Sequence, residues 1–207
     1  MVLCINAIFW TLLHRKVYFC HEKMHEKSIK KYAMMFISED NISLRVAEPE
    51  DARLIYDWEN DRDVWRVSET STPPSLFQVE QFLLGNSDLV ANRQLRLMIN
   101  VAGLDKPVGC IDLFDYNPLH GRVGMGVLID KKHRGNGYAT KAVGMCLDYL
   151  FQNVMVHQVY CLIDELNTES CKLFEGLGFQ ACERRKDWLK TPNGYLDVVF
   201  YQIISKS

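Results

Sequence analysis

One stretch limits what this chain can fold into more than any other. An alternating run, Arg122–Ile129, is followed by Lys131-Lys132-His133-Arg134-Gly135-Asn136-Gly137-Tyr138-Ala139. Apolar residues then recur at helical spacing: Ala139, Val143, Cys146, Leu147 and Leu150. The order is strand, glycine loop, long helix. Glycines let a backbone approach a ligand closely and adopt conformations closed to other residues. The first N–H groups of the helix have no internal acceptor, and the helix dipole favours negative charge there. Such a loop makes a seat for phosphate oxygens, and Arg134 and Lys132 add positive charge. A plain strand-to-helix turn favours glycine and asparagine as well, so the loop alone leaves both readings open. Two other phosphate loops are excluded. The pattern GxxxxGK[ST] is absent, and a dinucleotide fingerprint needs a third glycine where Thr140 stands. Gly124-Met125-Gly126 lies inside the strand pattern.

The rest of the chain fits elements around that unit. Ile42–Val46 alternates as a strand. Pro49 stands at a favoured first helical position, with Glu50 and Asp51 in the first turn, and Ala52, Ile55 and Trp58 form one apolar face. Ser75 and Gln78 form a capping-box pattern ahead of a second helix carrying Leu76, Val79, Phe82 and Leu83. Strands are expected at Leu95–Val101, Val108–Phe114 and Arg122–Ile129, with turns at Gly103–Pro107 and Asn117–Gly121. After the long helix, Val159, Cys161 and Ile163 alternate, Asn167 caps a short helix, Phe179 opens a strand, and Tyr195–Ile204 closes the chain as another. This order reads as an α/β (α+β) domain around one mixed sheet.

The 207 residues are 48% hydrophobic and 24% charged, enough for a real core and against wholesale disorder. Lys and Arg total 24 against 26 Asp and Glu, so no positive field gathers nucleic acid. Seven cysteines without a CxxC pair read as reduced thiols of a cytoplasmic protein, not as a disulfide framework or a metal site. No run reaches the roughly 18 apolar residues of a membrane span. Residues 1–40 differ: Val2–Leu13 is apolar and His14–Lys31 is mostly charged. The charges follow the apolar run and no small-residue cleavage site comes after it, so a secretory signal fits poorly and a bare signal anchor is the lesser alternative. The segment is expected to be an extension outside the fold, with Met34 or Met35 as the natural start and the domain at 41–207.

Downstream, Asn167-Thr168-Glu169-Ser170-Cys171-Lys172-Leu173-Phe174-Glu175-Gly176-Leu177-Gly178-Phe179 follows a strand. Asn167 can cap the helix or hydrogen-bond an amide-rich ligand, and Ser170, three residues on, shares its face. The two segments together resemble the GNAT superfamily of N-acetyltransferases. Arg134, Gly137 and Ala139 match its [QR]-x-x-G-x-[GA] pattern; Asn167, Ser170, Leu173, Phe174, Gly178 and Phe179 match its downstream partner. Leu44-Arg45, Trp58-Glu59-Asn60-Asp61, Gly109-Cys110-Ile111-Asp112-Leu113 and Asn193-Gly194-Tyr195-Leu196-Asp197 are similar to the branch holding spermidine and ribosomal-protein N-terminal acetyltransferases. The resemblance covers about Asn41 to Ile204.

The resemblance implies a single mixed sheet with helices on both faces and two central parallel strands, Gly124–Ile129 and Val159–Ile163, that splay apart around acetyl-CoA. It implies that Val127, Leu128 and Ile129 pair with the pantetheine arm through their backbone. Arg134, Gly135, Asn136, Gly137, Tyr138, Ala139 and Thr140 hold the pyrophosphate, Asn167 contacts the pantetheine, and Ser170 and Phe174 lie close to the cofactor. Transfer is expected by direct attack of an amine in a ternary complex, with a backbone N–H at Leu128 facing the oxyanion. The acceptor is a polyamine or other small amine, or a protein N-terminus, and relatives suggest an assembly of identical chains. Many relatives carry a tyrosine where Phe174 stands, which protonates the leaving thiolate; phenylalanine has no proton to give. A CoA-binding module without catalysis is therefore the alternative. Asp112 is the candidate base, with Asp115, Glu69 and Glu80 behind it. Trp65 and Tyr116 are candidates to line the acceptor pocket, whereas Trp58 is expected in the core. His120 and His133 are expected in exposed loops, and Tyr195 and Asp197 in a structural closing hairpin.

Overall fold

The computed structural model describes residues 37–61, 72–85, 88–191 and 193–205. The N-terminal segment before Ile37, its Met34 and Met35, and the candidates Trp65 and Glu69 lie outside the described residues. Eight strands form one sheet: β1 (Ile37–Glu39), β2 (Ile42–Val46), β3 (Leu95–Val101), β4 (Gly109–Asn117), β5 (Arg122–Ile129), β6 (Gln158–Asp164), β7 (Gln180–Thr191) and β8 (Gly194–Ile204). Their spatial order is β1-β2-β3-β4-β5-β6-β8-β7. Every neighbouring pair is antiparallel except β5 and β6.

Among the described residues the α-helices are α1 (Ala52–Glu59), α2 (Leu76–Gly85), α3 (Leu89–Asn92), α4 (Tyr138–Tyr149) and α5 (Thr168–Gly176). Their ends follow local chemistry. The box ahead of α2 forms as expected: Ser75 N–H donates to Gln78 Oε1 at 2.8 Å and Gln78 N–H to Ser75 Oγ at 3.2 Å. Pro49 opens a 3-10 turn, Pro49–Asp51, that leads into α1. Asn167 caps α5 by accepting Ser170 N–H at 3.2 Å.

The sheet is covered on both faces. On one, Ala142, Val143, Cys146 and Leu150 of the α4 stretch and Phe174 of α5 pack in one cluster with Ile111, Leu113, Val123 and Val159. On the other, Ile55 and Trp58 of α1 and Val79 and Leu83 of α2 cluster with Met98 and Cys110, with Leu128 packed against them. Period-2 alternation assigns these faces. Ile111 and Leu113 face α4, and Cys110 and Asp112 face the other way.

A short strand that the sequence did not announce precedes Asn41. β1 pairs Ile37 with Leu44 around the turn at Asp40, whose φ is 49°. Three residues are too few to show alternation in a sequence. β4 also runs past its expected end at Phe114, through an irregularity between Phe114 and Asn117 where Asp115 takes φ 49°.

Candidate active site

β5 and β6 are parallel neighbours for three pairs, Arg122↔Gln158, Val123↔Val159 and Gly124↔Tyr160. Beyond these they part. β5 continues along β4 to Gly109↔Ile129, and β6 continues along β8 to Asp164↔Val198. The result is a V between Met125–Ile129 and Cys161–Asp164. Gly124 stands at its apex because a Cβ there would come within 2.3 Å of the Phe114 ring.

Register decides which main-chain groups face the gap. Asp130 N–H donates to Val108 C=O at 2.9 Å, so that pair is hydrogen-bonded. Antiparallel pairing alternates. Leu128 opposite Cys110, and Gly126 opposite Asp112, therefore turn their N–H and C=O toward β4. Val127 and Ile129 turn theirs across the V. The main-chain donors facing the gap are thus those of Val127 and Ile129, whereas Leu128 N–H turns toward β4.

The V opens toward the glycine loop. Gly135 and Gly137 hold φ of 77° and 74°, and nothing lies within 4 Å of where a Cβ would project at either. Lys141 N–H makes the first bond of α4, to Gly137 C=O at 3.2 Å, so the N–H groups of Tyr138, Ala139 and Thr140 precede any acceptor within the helix. Asn136 braces the loop, its Nδ2 donating to His133 C=O at 3.0 Å and Arg134 C=O at 3.2 Å. Arg134 Nε donates to Ile129 C=O at 3.1 Å, which puts its guanidinium at the mouth of the V. Asp130 ties the loop to α1, accepting Lys132 N–H at 3.1 Å and Trp58 Nε1–H at 3.2 Å. Its burial works against the charge, but those bonds and the Lys132 and His133 charges outweigh it and hold the carboxyl below its ordinary range.

Asn167 and Ser170 are half-buried on α5. Phe174 is 3% exposed, and its ring meets Phe179 edge-on at 5.0 Å. It belongs to the core cluster shared with α4.

On the opposite face of the sheet, a groove of about 740 Å³ is lined by Asp112, Phe114 and Asp115 of β4, Gly126 of β5, Tyr160, Leu162 and Asp164 of β6, Phe200 of β8, and Arg122 and Arg185. Asp112 stands there, but both its oxygens are taken: Arg96 Nε donates to Oδ1 at 2.6 Å and Nη2 to Oδ2 at 3.0 Å. Arg96 also reaches Glu59 at 2.8 Å and lies 5.5 Å from the Phe82 ring centre. Burial opposes its charge; Asp112, together with the field of Cys110 and Glu59, outweighs that and raises its pKa. Asp112 is thereby a structural partner of Arg96. Asp115 accepts the Tyr160 hydroxyl at 3.3 Å. Desolvation, then the Asp115 carboxylate, push the Tyr160 phenol up, so it keeps its proton. Tyr160 stacks on Phe200 at 5.4 Å.

Other candidates go elsewhere. Tyr116 is buried in the core because the irregularity after Phe114 turns it inward. Glu80 lies on the exposed side of α2 and does not line the groove. His120 is exposed and His133 half-exposed. Asp197 accepts Arg184 Nε at 2.7 Å, a hairpin contact. Sequence reasoning passed over Tyr160, Asp164, Arg122 and Arg185. Alternation on β6 could have found the first two, because Val159, Cys161 and Ile163 in the core put Tyr160, Leu162 and Asp164 on the groove side.

A family model described as the acetyltransferase (GNAT) domain matches residues 41–180. A Bacillus licheniformis protein described as an uncharacterised N-acetyltransferase, p20, is 24% identical over 168 residues, 81% of this chain and 94% of its own. The spermidine N(1)-acetyltransferase of Escherichia coli K12 is 26% identical over 142 residues, 69% of this chain and 74% of its own. Among solved structures, spermidine N-acetyltransferase from Vibrio cholerae in complex with CoA and spermine superposes with a TM-score of 0.74 at 22% identity, over 80% of this chain and 96% of that one. The splayed parallel strands, the glycine loop at the α4 start and the family match agree: the chain belongs to the GNAT family of acetyltransferases, enzymes that take their acetyl group from acetyl-CoA.

Proposed function

We propose that the protein moves an acetyl group from acetyl-CoA to a primary amine by direct attack, with both reactants bound together. The observation that carries this reading is the parting of β5 and β6 immediately beyond Gly124↔Tyr160, which leaves the Val127 main chain unpaired beside the amides that begin α4. Extended pantetheine fits such an edge as an added strand, using Val127 and Ile129. The diphosphate fits the N–H groups from Gly135 to Thr140, with Arg134 beside it. Asn167 and Ser170, at the start of α5 just past the end of β6, meet the arm from that side.

The thioester then lies at the gap, its carbonyl oxygen toward Val127 N–H, a donor already fixed by the sheet. The amine enters from the groove on the other face. An alkylammonium titrates near about 10.4, so it must lose a proton before it attacks. Rate comes mainly from proximity and orientation. The acceptor class is a polyamine or other small amine, or a protein α-amine; the spermidine acetyltransferase relatives favour the first. The protein works in the cytoplasm as an assembly of identical chains.

A second reading, CoA binding without turnover, has one observation in its favour: Phe174 offers no hydroxyl to a departing thiolate. Both readings are tested on purified protein with acetyl-CoA and a panel that includes spermidine and an alanyl peptide. Free thiol release matched one for one by an acetylated amine supports transfer. Calorimetric binding of acetyl-CoA with no release from any amine supports the module.

A further inference from the structure

Two carboxylates are buried among the described residues, Asp51 at 6% and Asp164 at 7% exposure. Their surroundings differ. Asp51 is held by Arg45 at 2.6 and 2.7 Å and by Glu48 N–H at 2.9 Å. Asp164 Oδ1 accepts Leu166 N–H at 2.9 Å, and its Oδ2 has no donor among the described residues. A buried carboxylate without a cation is costly to keep.

Asp164 ends β6 on the groove side, in alternation with the core residues Cys161 and Ile163. Carrying the β5–β6 register four residues past Gly124↔Tyr160 brings Asp164 level with Leu128, next to Val127, on the far side of the V. The other groove carboxylates have partners: Asp112 is chelated by Arg96, and the exposed Asp115 accepts Tyr160. Asp164 thus brings to the groove a buried oxygen that has no donor among the described residues.

Building on the acetyl transfer proposed above, we infer that Asp164 receives the acceptor's ammonium group and takes its proton. The ammonium gives one proton to the Asp164 carboxylate. The freed lone pair forms the C–N bond at the thioester carbonyl, and the C=O pair moves onto oxygen beside Val127 N–H. Collapse breaks the C–S bond and the pair leaves with sulfur, which takes the second nitrogen proton. Asp164 then returns its proton to solvent. Ammonium plus acetyl-CoA becomes amide, CoA thiol and one released proton.

Asp164→Asn tests this, because the amide oxygen still serves Leu166 N–H while the charge is gone. The charged and titratable groups sharing the groove are Asp112, Asp115, Arg122, Tyr160 and Arg185. With spermidine as acceptor, kcat/KM at pH 7 should fall by about 100-fold or more and lose its acid limb. CoA affinity and the unfolding midpoint should stay as in the native protein. Native kcat/KM with the acid limb intact overturns the role, and so does a lowered unfolding midpoint with an intact limb, which marks a turn cap alone. If the native protein acetylates no amine, the transfer reading fails by itself. Spermidine binding to the protein–CoA complex then decides Asp164: affinity at least tenfold weaker in the variant supports it, and equal affinity, or no binding to either protein, overturns it.

Discussion

Asp112→Asn should cost stability and spare the acid–base step, because the geometry makes Asp112 an anchor for Arg96. The Arg96 side chain is 13% exposed and Asp112 is 35% exposed. Removing one partner of a fully buried ion pair costs roughly 3–5 kcal/mol. Two features reduce that here: Arg96 keeps Glu59 at 2.8 Å, and a third of Asp112 faces solvent. The expected loss is about 2 kcal/mol, near one charge-assisted hydrogen bond. That corresponds to a fall in Tm of roughly 4–8 °C for a domain of this size. Urea unfolding should show a lower midpoint with an unchanged slope. Arg96→Met combined with Asp112→Asn should destabilise by less than the sum of the single changes. The reasoning is refuted if Asp112→Asn unfolds like the native protein yet flattens the acid limb of kcat/KM.

Two further predictions concern the cofactor loop and the thiols. Gly137→Trp should abolish acetyl-CoA binding by calorimetry while far-ultraviolet circular dichroism stays native, since the space its side chain enters is open and is where the diphosphate is placed; the αL strain, φ 74°, costs about 1–2 kcal/mol. Burial pushes the Cys146 and Cys161 thiols up to about 12, the field of Cys171 adding to the latter, and pushes Cys110 higher still, with the Asp112 charge adding to it. Their thiolates are scarce at pH 8, so an aromatic disulfide reagent should label exposed Cys182 before these three, which react only on unfolding; rapid labelling of any of the three in the native protein contradicts their placement.

Much of the structure around the glycine loop was legible because it is local. Glycine spacing, the Asn167 cap and the change of period from strand to helix all lie within a few residues, and the structure places them as one loop, one cap and one helix face. The strands Ile42–Val46, Leu95–Val101 and Arg122–Ile129 match their expected bounds. The groove was less legible because it is built from pairs far apart in sequence. That Arg96 claims Asp112, sixteen residues on, follows from the β3–β4 register, where the two stand opposite one another. That Val127 rather than Leu128 faces the V depends on which antiparallel pair is hydrogen-bonded, which composition does not reveal. Tyr116 turns into the core through a strand irregularity, and Asp164 gains its burial from β8, some 34 residues further along. Even so, one unused regularity, alternation on β6, separated Tyr160 and Asp164 from the core residues between them.

The central claim is that amides from Gly135 to Thr140 hold a diphosphate so that the thiol end lies between Val127 and β6. A crystal structure with CoA bound tests it most directly. The two phosphates are expected on those N–H groups, with pantetheine running along Val127–Ile129 as an added strand. Density for the nucleotide at another surface, with the V closed or filled by protein, contradicts it.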